Sequence, residues 1–125
     1  MSQPNQNDRL IPALLVTNLK KTLRFYEKLG FVLKGCHPDS EALTWAEVGR
    51  ETVTIQFHTE PPHGMPRVPI CSGTFYVYVK DVKKLAEQLK GAIEMEWGPE
   101  KMDYGVLEFG IRDPDGYVFA FAEYA

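Results

Sequence analysis

An internal echo constrains this chain more than any other feature. Val16-Thr17-Asn18-Leu19 opens one helical pattern, and Val79-Lys80-Asp81-Val82 opens another about half of the 125-residue chain later. A residue suited to capping a helix stands third in both, because its side-chain oxygen accepts from an otherwise orphaned backbone amide. An apolar strand pattern precedes each copy and several strand patterns follow it. Duplication of this kind predicts two like modules around a shared cleft.

The patterning between the echoes fills in each module. Residues 10–16 read as a short apolar strand. Leu19, Leu23, Tyr26 and Leu29 then recur at the spacing of one helical face, and Gly30 stops the helix. Strands are expected over 31–36, 42–48 and 52–58, the last alternating Val53, Ile55 and Phe57 against Thr52, Thr54, Gln56 and His58. Residues 59–72 carry four prolines and read as an extended linker. The pattern restarts with a strand over 74–79 and a helix whose buried stripe is Val82, Leu85, Ala86 and Leu89. Strands over 92–97, 106–112 and 117–123 follow, with Asp113-Pro114-Asp115-Gly116 as the turn between the last two. The expected fold is therefore α+β, two βαβββ modules in tandem forming a curved mixed sheet with a cleft. The expected boundaries are a disordered tail over 1–8 and a single domain over 9–125. Within that domain the modules run 9–58 and 73–124, with the linker between them.

Composition narrows the partners. Fourteen Lys and Arg against seventeen Asp and Glu give a net charge of −3, with no basic stripe for nucleic acid. No apolar run approaches the roughly 20 residues of a membrane span, and the polar N-terminus lacks the apolar core of a secretion signal. A cytoplasmic protein is expected. Cys36 and Cys71 form neither a Cys-x-x-Cys unit nor a disulfide framework.

Phe25-Tyr26-x-x-Leu29-Gly30-Phe31 in the first module, and residues 107–121 in the second, running through Asp113-Pro114-Asp115-Gly116-Tyr117, resemble the glyoxalase / bleomycin resistance / dioxygenase superfamily, the vicinal oxygen chelate fold. The closest resemblance is to the bleomycin-resistance branch. Without it, Phe25, Tyr26 and Leu29 read as core and Asp113 to Gly116 as a turn. The resemblance implies a homodimer with clefts formed between halves of different subunits. It also implies where a divalent cation would sit in the superfamily's enzymes. Those positions here hold Ile11, Thr74 and Ala120, with Gln56 or a neighbour on the matching strand of the first half. Metal catalysis needs several protein ligands and an open position, and Ile and Ala have no lone pair to offer. His37, His58 and His63 show no ligand spacing. No metal and no cofactor are expected.

Alternation assigns the facing side chains: Ile11, Ala13 and Leu15; Thr74, Tyr76 and Tyr78; Val118, Ala120 and Ala122; Thr52, Thr54, Gln56 and His58. Phe75, Val77, Val79, Phe119 and Phe121 are left to pack beneath the helices. An apolar floor with a few polar groups suits a small organic ligand. Trp45, Gln56, His58, Tyr76, Tyr78, Trp97, Tyr104 and Glu108 are the candidate ligand-binding residues, with no catalytic set. The expected function is non-catalytic binding of an antibiotic or metabolite in an aromatic-lined cleft of a homodimer. Two alternatives stay open: an isomerase or lyase of the same superfamily working without the usual metal, and a dimerising regulatory module.

Overall fold

The computed structural model describes residues 8–38 and 42–125. The expected tail over 1–8 falls outside the described residues except for Asp8. The chain runs β1 (Ala13–Leu15), α1 (Leu19–Lys28), β2 (Val32–His37), β3 (Trp45–Arg50), β4 (Val53–His58), β5 (Thr74–Tyr78), α2 (Val82–Leu89), β6 (Trp97–Lys101), β7 (Val106–Arg112) and β8 (Val118–Tyr124). Two four-stranded sheets result, ordered β1-β4-β3-β2 and β5-β8-β7-β6. In each, the first strand pairs in parallel with the fourth and the remaining pairs are antiparallel. The sequence echo is thus a topological duplication, α+β as expected.

Both helices start as their sequences dictate. Asn18 accepts from the Lys21 amide at 3.1 Å and Asp81 from the Lys84 amide at 3.0 Å, each satisfying an orphan donor of the first turn. Leu29 caps α1, and Gly30 takes a φ of 90°, which a side chain would resist. β1 is shorter than its apolar run because Pro12 has no amide to donate. Pairing still continues past both ends, with the Gln56 amide on the Pro12 carbonyl and the Val16 amide on the His58 carbonyl, each at 2.9 Å.

One strand lies elsewhere than expected. Ala92-Ile93-Glu94-Met95-Glu96 alternates like a strand, yet β6 begins only at Trp97 and runs through Gly98-Pro99. Ile93 is buried and Met95 partly so, both packed against the core rather than paired in a ladder. Pairing starts at the Glu96 amide, 2.7 Å from the Gly110 carbonyl, and slips between Trp97 and Glu100. An added Cβ on Gly98, whose φ is 74°, would run into the Glu108 carbonyl, so only glycine fits at that irregularity.

The helix-side faces of both sheets share one core. Tyr26 of α1 meets Phe57 of β4 at 4.8 Å between ring centres and Phe119 of β8 at 5.6 Å, so it touches both modules. Tyr26, Phe57, Phe109 and Phe121 are fully buried. Each such ring contributes about 1.5–3 kcal/mol by leaving water. Hydrogen bonds fasten the halves as well. The Tyr26 hydroxyl donates to Asp113 Oδ2 at 2.7 Å, Thr17 Oγ1 to Asp115 Oδ1 at 2.7 Å, and the Tyr117 hydroxyl to the Leu15 carbonyl at 2.8 Å.

These phenols predict an alkaline transition. Burial first, then the charge of Asp113, pushes Tyr26 far above the ordinary tyrosine range; the same two causes push Tyr117 up to about 12. Unfolded tyrosines ionise near 10 (about the free value), so the native state keeps protons that the unfolded chain releases. The stability carried by these groups is intact below that pH and is lost progressively as pH rises from there through the folded values. A phenolate absorbance titration should show Tyr26 and Tyr117 ionising only together with loss of the near-ultraviolet dichroism. Full ionisation of all six tyrosines near the ordinary value, with the fold intact, would refute this assignment.

Candidate functional site

Because the helix sides of both sheets face the shared core, the other faces are left open. On the second sheet, cross-strand pairing lays out two rows. Trp97, Gly110, Ala120 and Tyr76 form one; Glu100, Glu108, Ala122 and Tyr78 form the next. Gly110, Ala120 and Ala122 are buried beneath these aromatic side chains, whose outer faces form a wall on this side of the sheet.

Glu108 organises that wall. Only 1% exposed, it accepts from Trp97 Nε1 at 2.8 Å and the Tyr76 hydroxyl at 3.3 Å on Oε2, and from the Tyr104 hydroxyl at 2.5 Å on Oε1. The Tyr76 and Tyr104 hydroxyls also lie 3.2 Å apart. The hydrogen bond to Glu108, then that to Tyr76, drives the Tyr104 phenol well above the usual tyrosine range, since ionisation would set a second charge beside the carboxylate. Three neutral donors on one carboxylate fix the rotamers of three aromatic rings. Trp97 lies directly over Gly110, where an added Cβ would collide with its six-membered ring. Tyr78, next along the wall, stacks on Tyr124 at 4.9 Å between ring centres.

The eight candidate residues therefore fall into two groups. Tyr76, Trp97, Tyr104 and Glu108 form one bonded cluster, and Tyr78 adjoins it with its ring 6.5 Å from that of Tyr76. Trp45, Gln56 and His58 lie on the first sheet. There Trp45 pairs across strands with His58 and rests beside Gly35, whose added Cβ would sit 3.6 Å from the indole. Gln56 Nε2 donates to Glu47 Oε1 at 3.0 Å. His58 lines a recess of about 260 Å³ between β1 and the proline-rich segment, with Leu15, Met65, Val68 and Ile70.

Glu47, Gly110 and Tyr124 were missed from sequence. Alternation places each on an open face, so that signal was present. Nothing in one sequence says that a glycine is there to seat a ring.

The positions at which the resemblance implies a cation, Ile11, Thr74, Ala120 and Gln56, make a poor donor set. Ile11 and Ala120 lack donor atoms, Ala120 is buried, and Gln56 is engaged by Glu47. Among the described residues no three His, Cys, Asp or Glu side chains group as metal ligands. No helix there is long and apolar enough to cross a membrane.

Known proteins agree with this architecture. No curated protein sequence matches the chain. Solved structures do: TioX from Micromonospora sp. ML1 is 16% identical with a TM-score of 0.76, over 95% of this chain and 100% of that one. A bleomycin-binding protein complexed with bleomycin is 20% identical with a TM-score of 0.69 over the same shares. TnmS3, an antibiotic binding protein from Streptomyces sp. CB03234, is 19% identical with a TM-score of 0.74, over 98% of this chain and 100% of that one. At these identities the likeness speaks for the fold. The family model of the Glyoxalase/Bleomycin resistance protein/Dioxygenase superfamily matches residues 10–121. With its two βαβββ modules, the chain belongs to that superfamily.

Proposed function

We propose that this protein is a non-catalytic binder of a small organic molecule, an antibiotic or metabolite, which it holds against the aromatic wall of the second sheet in a cytoplasmic homodimer. The observation that carries the reading is the Glu108 cluster. A carboxylate buried to 1% exposure, spent on orienting Trp97, Tyr76 and Tyr104, is a costly arrangement for a surface with nothing to recognise. Rings fixed in advance lose little entropy when a ligand settles on them. Bleomycin- and antibiotic-binding proteins among the structural neighbours lend support.

Pairing of two chains is supported by the openness of the wall. Tyr104 is 61% exposed, Tyr76 46% and Tyr78 49%. One chain supplies an aromatic wall, and the helix side of its own first sheet is packed into the shared core. A second copy would bring its Trp45, Gln56 and His58 face opposite. Nothing in the cluster pairs a nucleophile with a base, or two carboxylates across a substrate-sized gap, so chemistry is not needed to account for it.

Thermal-shift screening with aromatic antibiotics and metabolites tests this. A ligand at a hundredfold excess over Kd adds about 2.7 kcal/mol to the native state, a shift of several degrees, and should be recovered unchanged by mass spectrometry. Light scattering should give twice the 14.2 kDa of one chain. Conversion of the ligand during incubation would sink the non-catalytic reading. Complete insensitivity of Tm to every compound would sink binding.

A further inference from the structure

We infer that the wall selects a weakly hydrated organic cation, a tertiary or quaternary ammonium carried on a small apolar body. This deepens the binding function just proposed and rests on it.

Three observations combine. Glu108 is buried among neutral donors only. Among the described residues the ion pairs are Arg67–Glu60 and Arg112–Glu96, so no Lys, Arg or His answers its charge. A buried anion without a counter-ion makes the surface above it favourable to positive charge.

The rings, and not the carboxylate, meet the ligand. Glu108 is sealed, whereas Tyr104 and Tyr76 are about half exposed. Each phenol and the Trp97 indole commits its proton to Glu108 or to a neighbouring hydroxyl. Hydrogen bonding to an anion enriches the ring in electron density, which strengthens its attraction for a cation on its face. Three such rings converge on one carboxylate.

The ring faces complete the selection. They offer a primary ammonium no acceptor in place of the water it sheds, at a loss. A methylated ammonium has fewer such bonds to lose, and its methyl groups suit an aromatic face. The uncompensated charge of Glu108 disfavours an anionic ligand.

The test uses the full-length chain labelled for NMR, following the indole N–H signals of Trp97 and Trp45, which lie on different sheets. Choline is compared with its tert-butyl isostere, in which carbon replaces the quaternary nitrogen, and with ethanolamine. Choline should move the Trp97 signal with a Kd about tenfold below that of either competitor, in line with a desolvated cation–π contact. Glu108→Gln should reduce choline to the level of its neutral isostere. Equal affinity of wild type for choline and the isostere would overturn the cation assignment while leaving small-molecule binding intact. Tighter binding of ethanolamine would overturn the preference for methylated nitrogen. No movement by any of the three, together with no thermal shift in the library screen, would overturn both readings. If Glu108→Gln does not fold, the wild-type comparison decides alone.

Discussion

Asp113→Ala should destabilise the protein by about 2–4 kcal/mol, lowering Tm by on the order of 10 °C. Asp113 is 5% exposed and holds the turn and Tyr26 together. Its Oδ2 accepts from the Tyr26 hydroxyl at 2.7 Å, its Oδ1 accepts from the Asp115 and Tyr117 amides at 2.9 and 3.0 Å, and its own amide reaches the Tyr117 carbonyl at 2.8 Å. Truncation removes the three side-chain bonds and strands a fully buried phenol in the core. Tyr26→Phe removes only the hydroxyl and should lose less, about 1–2 kcal/mol. A double-mutant cycle should give a coupling of about 1 kcal/mol or more, because the two groups share one bond. Urea denaturation measures all of these. A loss below about 0.5 kcal/mol for Asp113→Ala, the size of an ordinary surface change, would show that the halves are held by apolar packing alone.

Burial pushes the Asp113 carboxyl up, against the downward pull of its bonds from Tyr26, Tyr117 and Asp115. Its folded value therefore lies above the unfolded one, and the stability linked to its proton is present at low pH and lost as pH rises through the folded value. Asp113→Asn has no such proton. Its stability relative to wild type should improve as pH climbs through the carboxylate range.

Gly110→Ala should remove ligand binding while leaving most of the fold. The new methyl would occupy space held by the Trp97 ring, and Trp97 lies against the sheet with its Nε1 already bonded to Glu108. The indole must swing out or the strands must part, with a destabilisation of about 1–3 kcal/mol. Either response breaks the Trp97–Glu108 bond and takes one wall from the site, so ligand affinity should fall more than about tenfold. Gly73→Ala is the control, because an added Cβ there meets nothing within 4 Å. It should leave stability within about 0.5 kcal/mol and binding unchanged. An unshifted Trp97 indole resonance in Gly110→Ala would mean that the ring does not rest on Gly110.

What could be read from the sequence follows from what periodicity encodes. Alternation assigned faces correctly along β4, β5 and β8, and the polar caps located both helices. It failed at residues 92–97, where Ile93 and Met95 alternate because they plug the core beneath α2, without pairing. A period of two reports which residues look inward; it is silent on whether a ladder partner exists. The site was half legible for the same reason. Tyr76, Trp97, Tyr104 and Glu108 were each named singly, and their convergence depends on strand register and on a slip at Gly98-Pro99. Tyr26 and Asp113, one read as core and the other as turn, are joined across the whole fold. Neither role predicts the bond.

The fastening of the halves through their helix-side core has a consequence for how such a protein changes over generations. Tyr26, Asp113, Phe57, Phe109, Phe119 and Phe121 are buried, whereas Tyr76, Tyr78 and Tyr104 are about half exposed. Substitutions on the wall should add nearly independently to those in the core. A lineage could therefore exchange one recognised molecule for another without solving the folding problem again. Glu108 and Gly110 are the exceptions, since each is wedged into the sheet it serves. Drift should spare those two longest, and divergence between descendants should gather on the exposed rings around them.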